Sequence, residues 1–248
     1  MRDHDRTSGQ RLPSDVVESE IEIRILDQAD EMVAVSTVFQ QVWGAVTPLV
    51  DAHLLRAIAH SGGYVAGAYD GGHLVGASFG FLGRYQGDLA LHSHVTGILP
   101  GVQHAGIGRA MKEHQRSWAA GHDVPWITWT FDPLVRRNAW FNIEVLGAQI
   151  ADYLVNYYGT MNDSINGNDE SDRLLVAWTS DGSTPTAATG TDTILVPTPD
   201  DIVKLRRTDP AEADAWRLRL REQLEPAMSR GVVTGFTREG DYVVTVAG

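Results

Sequence analysis

The stretch LPGVQHAGIGRAM, residues 99–111, joins an apolar, alternating run to a segment with helical spacing, and Gly101, Gly106 and Gly108 carry the junction. A strand that opens straight into a helix leaves the first backbone N–H groups of that helix without partners inside it. Those amides, together with the helix dipole, form a ready anion site. Glycines let the backbone approach an anion closely and accept positive φ. A plain left-handed turn between strand and helix uses the same residues, so the surrounding elements must decide between the two readings.

Upstream, IEIRIL from Ile21 alternates as a half-buried strand does. Asp27 precedes a helical pattern with Met32, Val35, Phe39 and Val42 on one face, ending near Gly44. Thr47-Pro48 restarts the chain into a second helix with Leu54, Leu55 and Ile58 inward, stopped by Ser61-Gly62-Gly63. YVAGAY and LVGASFGF flank Asp70-Gly71-Gly72, a strong hairpin signal. LALHSHVTGIL is a fourth strand that runs into the glycine turn. From Ile107 to about Gly121, Ala110, Met111, His114 and Trp118 recur at helical spacing.

PWITWTF is a fifth strand, and Asp132-Pro133 starts a helix through Leu146 with Gly147 at its C-cap. AQIADYLVNYY reads as a strand, a polar loop covers about 161–172, and RLLVAW is the last strand of this region. The order is β, α, α, β, β, β, α, β, α, β, β. Residues 1–19 are polar and aperiodic and are expected to form a tail, with the main domain over 20–180. A Ser-, Thr- and Gly-rich linker follows over 181–192. Beyond it, over 193–248, come the strand TILVP, helices over about 199–207 and 210–229 with Trp216, Leu220 and Leu224 in register, and the hairpin GVVTGF/DYVVTV. A C-terminal α/β extension of that size is marginal as an independent fold, so it is expected to pack on the first domain or on a second subunit.

Composition narrows the chemistry. The net charge is −12, with 20 Lys and Arg scattered among 248 residues, which argues against a nucleic-acid partner. No cysteine is present, so disulfides, a thiolate nucleophile and thiolate metal sites are excluded. No apolar run approaches the roughly 18 residues of a membrane span, and with a polar N-terminus the expected location is the cytoplasm, without a membrane partner. The histidines show no H-x-x-x-H or HExxH spacing, so no metal is expected.

The spacing Gln103-x-x-Gly106-x-Gly108 resembles the (Arg or Gln)-x-x-Gly-x-(Gly or Ala) signature of GNAT-type N-acetyltransferases, and so does the order of elements. The Gly-Lys-Ser/Thr of a P-loop and the acidic ribose partner of a Rossmann unit are both missing. The resemblance implies an α/β (α+β) fold, a mixed, mostly antiparallel central sheet flanked by helices. It also implies that Gln103, His104, Ala105, Gly106, Ile107, Gly108 and Arg109 wrap the pyrophosphate of coenzyme A. The runs LLRAIAHSGG (54–63), LHSH (91–94), WITWTFDPL (126–134), RNA (137–139) with Phe141-Asn142, and SDRLLV (171–176) resemble a GNAT subgroup of predicted acyltransferases with a C-terminal extension. Some of its members look like enzymes that acylate the amine of amino acids, including succinyl transfer to D-amino acids.

By the same resemblance, the strand before the turn splays from its neighbour, and the backbone of Ile98 and Leu99 holds the pantetheine arm and the thioester oxygen. An amide aimed at a developing oxyanion is a large electrostatic contribution. His92 and His94, two apart on a strand, are expected on one side with Thr96 and Ile98. His92 lies six residues before Ile98, where some GNAT enzymes carry a glutamate base, and an imidazole titrates near working pH. The family's acid is a tyrosine four residues before the glycine that ends the following helix; here that position is Ile143. Asn142 is next to it and can hydrogen-bond sulfur. Tyr153, Tyr157 and Tyr158, expected on the next strand, are alternatives, Tyr158 as a relocated acid and Tyr157 as part of the substrate wall.

Asn138 corresponds to an asparagine that contacts the pantetheine arm, and Trp129 with Thr130 would line the acceptor pocket. Arg173, Arg84 or Arg56 could pair with a substrate carboxylate. The expected function is therefore acyl transfer from acetyl-CoA or succinyl-CoA to a small-molecule amine, most simply an amino acid, by direct attack in a ternary complex. The alternative is a non-catalytic acyl-CoA-binding protein of the same fold, a sensor or assembly partner. A homodimer through the C-terminal extension is compatible with either.

Overall fold

The computed structural model describes residues 21–102, 106–160, 170–183 and 190–246. Gln103, His104 and Ala105 lie outside the described residues, as do the expected tail and parts of the polar loop and linker.

Strand β1 (Ile21–Ile25) leads into α1 (Ala29–Trp43), whose Glu31 carboxylate accepts from the Asp27 and Gln28 amides. Gly44 ends α1 in a left-handed conformation, φ 61°, which suits a glycine C-cap. Helix α2 (Ala52–His60) starts later than Thr47-Pro48 suggests, because the Asp51 side chain accepts from the His53 amide and acts as the N-cap. That start fixes the helix rotation: Leu55 is fully buried while Leu54 is 54% exposed, so Leu54 is not part of the core. Strands β2 (Tyr64–Asp70), β3 (His73–Tyr85) and β4 (Asp88–Ile98) form a meander. Then follow α3 (Ile107–Ala120), β5 (Trp126–Phe131), α4 (Arg136–Trp140, continued by a π-helical turn over Phe141–Val145), β6 (Gln149–Leu154) and β7 (Arg173–Thr179).

The fourth helix begins at Arg136, not at Asp132-Pro133. The Asp132 side chain instead accepts from the Leu134 amide and closes a turn that precedes the helix. Tyr157 and Tyr158 are not on β6, which ends at Leu154; they sit in the turn after it and are exposed.

The seven strands are ordered β1-β2-β3-β4-β5-β7-β6, all neighbours antiparallel except β4 and β5. Helices α1 and α2 cover one face, packing Phe39, Met32 and Leu55 on Val65, Ala77 and Phe79. Helices α3 and α4 cover the other. Trp43 lies directly on Gly97, where a Cβ would approach the indole to 2.8 Å.

The C-terminal residues build β8 (Asp192–Pro197), α5 (Ile202–Thr208), α6 (Pro210–Met228), β9 (Gly231–Phe236) and β10 (Asp241–Val246), with a sheet ordered β8-β10-β9. Their apolar side chains share one core with the α3/α4 side of the large sheet: Val196, Leu220, Leu224 and Tyr242 belong to the same cluster as Trp129, Leu134 and Leu174. Buried polar links fasten the join. Arg206 pairs with Asp132 at 2.7 Å, and the Tyr242 hydroxyl donates to the Pro133 carbonyl at 2.7 Å.

Candidate functional site

Strands β4 and β5 are parallel and pair over only three positions, Ala90 with Trp126, Leu91 with Ile127 and His92 with Thr128. Past that point β4 runs on to Ile98 and β5 to Phe131 without pairing, so the sheet opens as a fork. The N-terminus of α3 stands beyond the end of β4, at the open end. Gly106 caps it in the left-handed region, φ 73°, with no side-chain cap and no acidic residue in the first turn. Gly108 packs against Ile98 of β4 and Phe141 of α4, since a Cβ there would reach the Ile98 Cδ1 at 3.3 Å and the Phe141 ring at 3.8 Å. Ile107 is buried, Arg109 is exposed, and Asn138 is half-buried on α4.

A β-bulge in β4 decides which side chains face which way. Phe79 pairs with Val95 and Gly80 with Ser93, so His94 is the extra residue. Gly80 opposite the bulge is required: a Cβ there would lie 2.7 Å from the His92 carbonyl oxygen. An extra residue breaks the period-2 alternation. His92 and His94 do share a face, but Thr96 and Ile98 turn to the other side, toward α3, contrary to the simple alternation. The Thr96 hydroxyl is 2.7 Å from the Ser78 hydroxyl, which accepts from the Gln115 amide on α3 at 2.9 Å.

The bulge also settles the backbone. The Leu99 amide donates to the Val75 carbonyl of β3 at 2.9 Å, so Leu99 N–H is not directed at a thioester. Alternation along the strand turns the N–H groups of Thr96 and Ile98 the opposite way, toward the fork.

On the face away from α3, the His92 ring lies tilted against Phe81 with ring centres 5.2 Å apart, and its Nδ1 is 3.2 Å from the Thr128 hydroxyl. The His94 ring contacts those of Phe79, Phe81 and Tyr158. The Tyr158 hydroxyl is 3.1 Å from that of Thr130, and the Arg173 guanidinium lies over the Tyr158 ring at 5.6 Å. Thus His92, His94, Thr130, Tyr158 and Arg173 cluster on one face, Arg173 buried and donating to the Asp172 carbonyl at 2.8 Å, while Tyr157 packs edge-on against Tyr158. Arg84 instead donates to the Gly87 carbonyl at a hairpin tip, and Arg56 is exposed on α2. Burial pushes the His92 imidazole down to about 4, with the neighbouring His94 and Lys112 acting the same way, and burial lowers His94 as well. Both are neutral acceptors at pH 7.

Trp129 is not part of that cluster. It points to the opposite face from Thr130, is 5% exposed, and donates its indole N–H to the Asn142 Oδ1 at 3.0 Å. Asn142 is therefore held in the interior beneath Trp129, its amide oxygen already occupied. Beside them stands Lys112, which the sequence reading missed. Its ammonium is 2.8 Å from Ser93 Oγ, 3.2 Å from Gln115 Oε1 and 3.9 Å from the centre of the Trp129 ring. Burial alone pushes it down to about 7. The signal was available: Lys112 and Gln115 occupy inward positions of α3 between Met111 and Ala119, where an amphipathic helix places apolar residues.

A second cluster braces the turn that carries Tyr158. Asp172 accepts from Arg221 Nε at 2.9 Å and Nη2 at 2.7 Å, from the Tyr153 hydroxyl at 2.8 Å and from the Asn156 amide at 3.0 Å. Burial by itself would raise this carboxyl, but the Arg221 guanidinium, the Asn156 amide and the Tyr153 hydroxyl outweigh it and hold it below its ordinary value. Helix α6 so fixes the turn that carries Tyr157 and Tyr158. Among the described residues no three His, Cys, Asp or Glu side chains gather as a metal site, and no helix is long and apolar enough to cross a membrane.

The combination of a bulged β4, a fork with β5 and a glycine-capped α3 at its mouth can be set against known structures. This is the fold of the GNAT acetyltransferases. The ribosomal-protein-S18-alanine N-acetyltransferase from Escherichia coli matches 67% of the chain over 97% of its own length, with 16% identity and a TM-score of 0.51. Aminoglycoside 6′-acetyltransferase type Ii matches 67% over 99% of its length, with 17% identity and a TM-score of 0.51. Arabidopsis thaliana Naa50, in complex with a bisubstrate analogue CoA-Ac-MVNAL, matches 64% over 97% of its length, with 16% identity and a TM-score of 0.50. No protein-family model matches the sequence, and no curated protein does. The GNAT likeness is thus one of fold, carried by about two thirds of the chain.

Proposed function

We propose that the chain is an acyl-CoA-dependent N-acyltransferase that moves an acetyl- or succinyl-type group to the amine of a small metabolite, an amino acid above all, by direct attack in a ternary complex. The observation that carries this reading is the fork: two parallel strands that part after His92 and Thr128, with α3 presenting its N-terminus at the open end. A phosphate-bearing carrier bound at the Gly106–Gly108 turn would lay its arm along the β4 edge, where the Thr96 amide points. The acceptor would enter from the other face, where His92 and His94 are neutral and can take a proton from an amine, directly or through water. Arg173, which lies against the Tyr158 ring on that face and donates to the Asp172 carbonyl at 2.8 Å, is the residue proposed to meet a carboxylate of the acceptor. A chain without cysteine has no thiol for an acyl-enzyme intermediate. A cytoplasmic location and a homodimer are compatible with this reading.

The test is thermal stabilisation by CoA, acetyl-CoA and succinyl-CoA, followed by thiol release across L- and D-amino acids. Ligand at ~100 times its dissociation constant adds about 2.7 kcal/mol. Stabilisation with thiol release is the expected result; stabilisation without release across the panel supports a binding protein instead, and no stabilisation by any CoA refutes the proposal.

A further inference from the structure

The GNAT-type acid is absent at Ile143, Asn142 is not an acid, and Tyr158 lies on the acceptor face with its hydroxyl against Thr130. Among the described residues, the helix face of the fork nevertheless holds an ionisable group. Ser93 and Trp129 are the first residues of β4 and β5 beyond the last pair, and the Lys112 ammonium touches both. It plugs the closed end of the fork from the α3 side. Among the described residues no carboxylate pairs with it, so the charge is balanced only by the hydroxyl, the amide oxygen and the indole face.

We propose that Lys112 is the acid that protonates the departing coenzyme A sulfur, from the helix face, while His92 and His94 serve the amine from the opposite face. The inference rests on the acyl-CoA reading above. An arm entering at the α3 N-terminus runs along β4 from Ile98 toward Ser93, about 16 Å at ~3.3 Å per strand residue, the reach of an extended pantetheine arm. Its far end, with the thioester, then meets the plug. The amine nitrogen attacks the thioester carbonyl carbon; the C–N bond forms and the C–S bond breaks, its electron pair leaving on sulfur. Sulfur takes a proton from Lys112 Nζ, and the proton of the attacking amine passes to an imidazole or to water. Lys112 remains as a neutral amine that can accept from the Ser93 hydroxyl, and exchange with solvent restores both groups. Burial, which disfavours the ammonium, favours this transfer.

The acid can be read from the pH dependence of turnover. CoA binding to the full-length wild type, Lys112→Met and Lys112→Gln is measured first, and all three should bind it. With acetyl-CoA and an amino-acid acceptor, kcat of the wild type should fall on the alkaline side as Lys112 loses its proton, and that limb should be missing from both variants. With acetyl-CoA as donor, kcat of the variants should fall about 100-fold or more, while KM for acetyl-CoA changes by less than about threefold. CoA that binds while kcat keeps the same alkaline limb in all three proteins, or a variant that keeps its kcat, overturns the inference and leaves the acyl-CoA reading standing. Failure of the wild type to bind CoA defeats that reading itself, and this one with it. If Lys112→Met does not fold, Lys112→Gln carries the comparison.

Discussion

Replacing Lys112 by Met should stabilise the protein at low pH and destabilise it at high pH. The folded protein lowers this amine from 10.5 to about 7, and at about 1.4 kcal/mol per unit the buried charge costs on the order of 5 kcal/mol. Below pH 7 the ammonium is charged in both folded and unfolded chains and the whole cost is present. Between pH 7 and 10.5 the unfolded chain binds the proton and the folded one releases it, so stability rises with pH. Above 10.5 the cost is gone. Methionine removes it at every pH but orphans Ser93 Oγ and Gln115 Oε1, at about 3 kcal/mol for the two buried groups together. The variant should therefore be about 2 kcal/mol more stable than the wild type at pH 6 and less stable by a similar amount near pH 10. Urea unfolding at the two pH values, extrapolated linearly, measures both. A variant weakened equally at pH 6 and pH 10 would refute the view that the charge is buried without a counter-charge.

Removing the Arg221 side chain leaves the buried Asp172 carboxylate short of its strongest partner, and Arg221→Met should cost about 3 kcal/mol in urea unfolding at pH 7. Because the folded Asp172 pKa is depressed, its stabilisation is present above its ordinary value of 3.8 and is lost as pH falls below it; in Arg221→Met the acid unfolding midpoint should move upward, and an unchanged midpoint would count against the pairing. Gly80→Ala should destabilise by about 1–3 kcal/mol, because its Cβ would sit 2.7 Å from the His92 carbonyl; wild-type stability would refute the close approach of the two strands at the bulge. The His92 ring signals in proton NMR should stay those of neutral imidazole from pH 8 down to pH 5, since the group titrates at about 4. A midpoint near 6.5 would show it to be solvated.

Residues that punctuate the chain made most of the fold legible. Gly44, Asp70-Gly71-Gly72 and Gly106 each mark a conformation few other residues adopt, and α1, the β2–β3 hairpin and the start of α3 fall where they direct. Two starts were misplaced for one reason: Thr47-Pro48 and Asp132-Pro133 look like helix openings, but capping chemistry chose Asp51 and a turn closed by the Asp132 side chain. The site was harder to read. A single inserted residue at His94 reverses the facing of everything after it, and only the pairing partner Gly80 betrays it. Trp129 and Thr130 were assigned to one wall although neighbours in a strand face opposite ways. Lys112 was overlooked because an inward lysine contradicts composition-based expectation, and its meaning comes from Ser93 and Trp129, which reach it from two other elements.

The sheet has the usual two outer edges, β1 and β6, and where β4 and β5 part it opens two more in its middle. An edge strand is ordinarily a liability, a row of backbone groups waiting for any strand to join. Here the two inner edges face each other across a gap, with α3 on one face and Trp43 of α1 over Gly97 on the other, which leaves little room for a foreign strand to lie along β4. What can enter is a slender chain with amide groups of its own, arriving end-on from the mouth. The shape that denies these inner edges to a foreign strand also restricts what lies between them to something narrow and peptide-like.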